Sequence, residues 1–197
     1  MPTIISYPKS GRHWCEALIC QALAFEHGLD CSDFNRMKKH VMEAYNLEFS
    51  HWYVNIFDGA GQMDIPLNPK KETVFAHIVR DPRDVAVSCY YWRQIETPLK
   101  DFIIDHNGQL PAIIEFLNYI HTMTDNFYSY EDLHTDTQGT LKRIMTSIGL
   151  RPSDKALQHA INASTMDALR KKDKDEETCV PQIYRKGQSC ICGYIRC

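Results

Sequence analysis

Apolar residues first gather in a short run over Thr3–Tyr7, which predicts a buried strand. From His13 to His27 they recur at helical spacing, with Trp14, Leu18, Ala22 and Phe25 on one stripe and Cys15, Ile19 and Leu23 beside it. The chain therefore opens strand, tight loop, helix. A second helix is expected over Ser32–Tyr45, capped by Ser32 or Asp33. Leu47–Ser50 reads as a strand that leads to His51. Asp58-Gly59-Ala60-Gly61 and Pro66-Leu67-Asn68-Pro69 are turn signals.

The β-branched run Val74–Val79 has the character of a buried central strand. Asp81-Pro82 ends it, and Pro82 suits the first turn of a helix that runs to about Gln94, with Asp81 as cap. Helices are expected over Pro111–Met123, Thr137–Ile148 (stopped by Gly149) and Ser153–Asn162 (capped by Ser153), with one more short helix over Ser164–Arg170. Phe127–Tyr130 reads as a short aromatic strand. The mixed-charge stretch from Arg170 to Glu177 reads as a solvated loop, a candidate lid. Strands alternating with helices predict an α/β fold, a central, mostly parallel sheet flanked by helices. The 197 residues suit one domain over 1–197.

Composition narrows the classes. A hydrophobic content of 44% and a charged content of 24% are ordinary globular usage. The formal net charge of −3 argues against a general nucleic-acid binder. No stretch approaches the roughly 18–20 apolar residues of a membrane helix, and Met1–Ser6 lacks the pattern of a secretory leader. With eight cysteines and no leader, a reducing cytoplasm is the simplest expectation. Cys190-Ile191-Cys192 has C-x-C rather than C-x-x-C spacing and no obvious second ligand pair, so incidental thiols are expected and no metal.

Three segments carry chemistry. Tyr7-Pro8-Lys9-Ser10-Gly11-Arg12-His13-Trp14 lies between the first strand and the first helix. A glycine turn there lets backbone N–H groups converge on an anion, the helix N-terminus adds partial positive charge, Lys9 adds a full one and Ser10 a hydroxyl donor. It is not a Walker A loop, since G-x-x-x-x-G-K-[ST] is absent. Arg80 stands at the carboxyl end of the central strand, where open parallel sheets place ligands. Ser88 follows about two helical turns later, so both could address one phosphate. Tyr184-Arg185-Lys186-Gly187 joins two cations to a glycine, which suits a phosphate clamp. Each segment alone is also an ordinary turn, cap or charged surface.

Together they resemble, in order, the elements of PAPS-dependent sulfotransferases. Tyr7–Trp14 resembles that family's YPKSGTTW loop, Arg80–Ser88 its R-x-x-x-D-x-x-x-S segment, Arg185-Lys186-Gly187 its RKG loop and Tyr130-Glu131-Asp132-Leu133 its Y-E-D-L after a late strand. The resemblance spans nearly the whole chain and implies a fold akin to the P-loop nucleotide kinases. The implied donor is 3′-phosphoadenosine 5′-phosphosulfate (PAPS), with transfer of its sulfuryl group to a hydroxyl or amine.

The resemblance implies roles. Lys9 would neutralise the bridging oxygen and the 5′-phosphate, which Ser10, Gly11, Arg12 and His13 would cradle through backbone N–H groups. Trp14 would stack on adenine, and Tyr130 would reach the adenine edge. Ser164 falls where the family often has a nucleotide-touching threonine. Arg80, Ser88, Arg185, Lys186 and Gly187 would bind the 3′-phosphate. His51 stands where many members have their general base, and an imidazole suits that work at neutral pH. Glu48 is the alternative base. His77, inside the Val74–Val79 run, reads as a core residue.

The chain departs from the family pattern at three places. Arg12-His13 replaces Thr-Thr, Phe49 stands where a lysine is often found, and no tryptophan follows Arg185-Lys186-Gly187. The acceptor is expected to be a small molecule or carbohydrate, and a homodimer is allowed. Two other classes stay open: a P-loop-type kinase, told apart by a response to magnesium and ATP, and a binding module that keeps the nucleotide site without turnover.

Overall fold

A computed structural model describes residues 1–31, 33–50, 74–93, 96–104, 109–165 and 167–169. The β-branched and apolar runs form four strands: β1 (Pro2–Ser6), β2 (Glu48–Ser50), β3 (Val74–Val79) and β4 (Phe127–Ser129). They pair in the order β2-β1-β3-β4, and every pairing is parallel. Eight helices are described: α1 (Arg12–Glu26), α2 (Phe34–Tyr45), α3 (Pro82–Arg93), α4 (Leu99–Ile104), α5 (Gln109–His121), α6 (Tyr130–Thr135), α7 (Thr137–Ser147) and α8 (Asp154–Ala163).

Alternation along the strands divides the core between the two faces of the sheet. Ile4, Ala76 and Ile78 pack with α1, α2, α7 and α8 on one face. Ile5 and Phe75 pack with α3, α4 and α5 on the other. Burial on both faces is what an all-parallel sheet requires. Helix α1 is enclosed over the whole stretch Cys15–Ala24. This carries Glu16 inside, where Lys38 of α2 meets its carboxylate at 2.5 Å. Among the described residues no helix is long and apolar enough to cross a membrane.

Local signals set the boundaries. Asp33 caps α2, Ser153 caps α8, and Asp81 accepts from the Arg83 N–H at the start of α3. Gly149, at φ +83, follows α7 in the left-handed conformation that glycine adopts without strain. One expectation is corrected and one gap is filled. The aromatic strand stops at Ser129, because the Ser129 hydroxyl accepts from the Asp132 N–H and caps α6, so Tyr130 is helical. Helix α4, begun at Pro98, lies in a stretch the periodicity left unassigned. Of the short helix expected after Ser164, residues 167–169 are helical, and the Leu169 N–H donates to the Thr165 carbonyl. The expected lid from Arg170 to Glu177 lies outside the described residues.

His77 is a core residue, as its place in β3 suggested. It is fully buried between the rings of Phe116 and Phe127, and neither ring nitrogen has a hydrogen-bond partner among the described residues. Burial pushes its pKa down to about 3, and His121 adds repulsion. The folded value lies below the unfolded value near 6.5, so the neutral ring's contribution to stability is complete above that pH and is lost as pH falls. Between roughly pH 6.5 and 3 this group alone should remove up to about 1.4 kcal/mol of unfolding free energy per pH unit. Urea unfolding at stepped pH should show a shallower slope for His77→Phe than for wild type. Equal slopes would assign the acid sensitivity elsewhere.

Candidate active site

The sheet register brings the chemistry to one edge. Ser6 pairs with Ile78, and Val79 pairs with Ser129. The residues that leave β1, β3 and β4 at their carboxyl ends, Tyr7 to Gly11, Arg80 and Tyr130, therefore emerge side by side. Ser50 pairs with Ile5, so β2 ends at the same edge.

The loop after β1 begins with Tyr7, buried edge-on to Phe116. Lys9 has φ +71 and Gly11 φ +92. A left-handed lysine is uncommon and locally strained, and such strain persists where surrounding contacts over-determine the backbone. The buried Ser10 donates its N–H to the Tyr7 carbonyl at 3.2 Å. Gly11 forms the N-cap of α1 without a side-chain cap, and its carbonyl accepts from Trp14 and Cys15. Tyr130 covers this glycine so closely that a Cβ there would lie 2.2 Å from the ring. The helix N-terminus, left without a side-chain cap, is the geometry of an anion cradle.

The charges gather around it. Arg80 donates from Nη1 to the Lys9 carbonyl at 3.3 Å, lies 4.7 Å from the centre of the Tyr130 ring and has Asp84 Oδ2 at 3.7 Å. Its Nε is buried with no partner among the described residues. The Lys9 ammonium lies 5.3 Å from the centre of the Trp92 ring on α3. Burial raises the pKa of the Asp84 carboxyl, with Arg80 opposing it, and burial likewise raises that of the Tyr130 phenol. Glu131 accepts from the Asp81 N–H and so ties α6 to the start of α3.

A second wall is aromatic. The Trp14 indole N–H donates to the Ser164 carbonyl at 3.0 Å, across 150 residues of sequence. Trp14 meets Tyr130 at 5.8 Å and His134 at 5.7 Å. The Ser164 hydroxyl is buried beside this wall without a partner among the described residues.

The structure thus brings together Lys9, Ser10, Gly11, Trp14, Arg80, Tyr130 and Ser164. Ser88 lies half-buried on α3, further along the helix that follows Arg80. His13 is exposed, and its Nε2 lies 3.4 Å from Arg12 Nη2. The Arg12 side chain turns to β2, where Nη1 donates to the Phe49 carbonyl at 2.8 Å. Glu48 pairs with Thr3, two residues back from the carboxyl edge. His51, Arg185, Lys186 and Gly187 lie outside the described residues. Sequence reasoning missed His134, which no local pattern marks. Glu131 stands in the Y-E-D-L match and Asp84 in the R-x-x-x-D-x-x-x-S match, but sequence alone gives neither a role; Asp84 is buried rather than solvated, facing Arg80 at i,i+4 spacing.

Fold and site define an α/β protein in which a glycine loop, an arginine and two aromatic rings gather at the carboxyl edge of a four-stranded parallel sheet. The chain belongs to the sulfotransferase family: the profile described as the sulfotransferase domain matches residues 3–189. It is 26% identical to human sulfotransferase 2B1 over 225 residues, which cover 96% of the chain and 59% of the relative. It is 25% identical to rat sulfotransferase 2A2, covering 86% of the chain and 66% of that protein. The chain therefore spans about three fifths to two thirds of these curated relatives. Among solved structures it is similar to retinol dehydratase in a complex with retinol and PAP, with a TM-score of 0.66 and 16% identity over 99% of this chain and 76% of that one. It is also similar to a mouse sulfotransferase complexed with PAP, with a TM-score of 0.58 and 21% identity over 86% of this chain and 66% of that one.

Proposed function

We propose that the chain is a PAPS-dependent sulfotransferase that transfers a sulfuryl group to a hydroxyl or amine of a small-molecule acceptor. One observation carries this reading. Three segments far apart in sequence, the loop at Lys9–Gly11, Arg80 and Tyr130, meet at one sheet edge around a strained lysine and an uncapped helix N-terminus. Family membership and the PAP-bound structural relatives supply the donor chemistry. The residues fit that donor: α1 starts at Gly11 without a side-chain cap, and Arg80 Nε and Ser164 Oγ are buried polar atoms that need a partner.

The donor supplies the sulfuryl group. The acceptor oxygen or nitrogen bonds to sulfur as the bond to the bridging oxygen breaks, and PAP leaves with the electron pair. The protein's work is positioning and electrostatics, as in phosphoryl transfer. Lys9 neutralises charge that grows on the bridging oxygen. The N–H groups of Gly11 to His13 and the N-terminus of α1 hold the 5′-phosphate, while the Ser10 N–H is taken by the Tyr7 carbonyl and leaves its hydroxyl for the donor. Arg80 and Ser88, with Arg185, Lys186 and Gly187, hold the 3′-phosphate. Trp14 and Tyr130 flank the base, and Ser164 adds a hydroxyl. His51 takes the acceptor's proton. Retinol and androsterone accompany the retinol dehydratase relatives, which favours a small apolar acceptor. A cytoplasmic setting fits the buried thiols Cys15 and Cys20.

Calorimetry with PAP tests the donor assignment. Wild type should bind, and Arg80→Ala should bind about 10- to 30-fold more weakly, the scale of a lost charge-assisted contact. Absence of binding by wild type, or full binding by Arg80→Ala, would sink the assignment.

A further inference from the structure

Arg12 is a residue that local preferences would not choose. As the first residue of α1 it sets a positive charge at a helix N-terminus, where the macrodipole disfavours cations. Its guanidinium is partly desolvated: burial lowers its pKa, and only Glu16, one turn on, works the other way. Its Nε is buried with no partner among the described residues. What the side chain gains is the Phe49 carbonyl, reached by Nη1 at 2.8 Å.

That carbonyl belongs to a weakly held strand. β2 has three residues, pairs only with β1 among the described strands, and does so at three positions, Glu48, Phe49 and Ser50. Few ladder bonds hold so short a strand, and a charge-assisted bond to its carbonyl is a large addition. The other end of this strut is the donor loop itself. Arg12 follows Gly11 directly, so its Cα moves with the cradle.

We infer that Arg12 is a positioning residue that couples the donor loop to the carboxyl end of β2, so that filling the loop orders that strand end. The inference rests on the proposed donor site and adds a role the Thr-Thr form of the loop could not supply, since neither threonine hydroxyl has an arginine's reach. Arg12 thus contributes its backbone N–H to the cradle while its charge acts on the neighbouring strand.

Hydrogen exchange of the full chain, followed with and without saturating PAP, tests this without any knowledge of the acceptor. In wild type, PAP should slow exchange at residues 9–15 and at 47–50. In Arg12→Ala, with PAP raised to saturation by that variant's own titration, PAP should still protect 9–15, because the backbone donors remain. The slowing at 47–50 should fall at least about tenfold, and Arg12→Lys, which keeps one charged donor, should restore part of it. Undiminished PAP-dependent slowing at 47–50 in Arg12→Ala overturns the coupling. So does faster exchange there by the same factor with and without PAP, which would make Arg12 a strut of the fold alone. If Arg12→Ala does not fold, Arg12→Gln is read in the same way. Failure of PAP to protect any part of wild type would instead remove the donor site, and the coupling with it.

Discussion

Replacing Lys9 with alanine is expected to lower sulfuryl transfer by about 10²- to 10³-fold while PAP binding weakens about tenfold or less. The inequality follows from where the charge acts. Electrostatic groups accelerate a reaction only as far as they hold the transition state more strongly than the ground state, and removal of one preorganised donor commonly costs two to three powers of ten. PAP lacks the sulfuryl group, so it samples only part of what Lys9 does. The lysine is preorganised: its backbone is held left-handed, its carbonyl is gripped by Arg80, and its ammonium lies over Trp92. Lys9→Gly separates charge from strain, because glycine adopts φ +71 freely. It should match or exceed wild type in stability and be as slow as Lys9→Ala. The measurement is PAP formed from PAPS with the best acceptor from a panel of small hydroxylated compounds. Transfer within tenfold of wild type for both variants would remove Lys9 from the chemistry.

Much of the fold and part of the site are legible in the sequence alone. The β-branched run Val74–Val79 is a strand with those bounds, and caps at Asp33, Ser153 and Gly149 delimit helices because capping is a local interaction. The loop Tyr7–Trp14 can be read because its residue types are what an anion cradle needs. Helices α4 and α6, six residues each, cannot: such short pieces give periodicity no length to show itself, and the aromatic run Phe127–Tyr130 hides the cap at Ser129. The strand order is also invisible locally, yet it decides the site. Only the pairings β1–β3 and β3–β4 place Arg80 between the Lys9 carbonyl and the Tyr130 ring. Asp84, on the sequence a surface charge, is buried by that arrangement, and Arg12 turns to β2 because α1 happens to start beside that strand.

Gly11→Ala is the severest single change expected at this edge, because two independent penalties meet there. The backbone at φ +92 lies in the left-handed region, where an alanine in place of glycine costs about 1 kcal/mol. The new Cβ would also lie 2.2 Å from Tyr130 Cδ2 and 2.8 Å from Cε2. The ring cannot simply swing away, since Trp14 meets one side of it and the Arg80 guanidinium lies over it. Overpacking of this kind costs roughly 1–3 kcal/mol. The sum, about 2–4 kcal/mol, corresponds in a chain of this size to a fall in melting temperature of roughly 4–16 °C. Relief of the contact should move the Gly11 cradle itself, so PAP binding should drop by more than the thirtyfold expected of Arg80→Ala. The double change Gly11→Ala with Tyr130→Ala tells the penalties apart. If the ring is the obstacle, the pair should recover most of the overpacking loss in melting temperature yet keep the backbone strain, and the two single effects should fail to add by at least about 1 kcal/mol. Additive effects would mean that Tyr130 yields freely, leaving only the left-handed backbone to explain why a glycine stands at the head of α1.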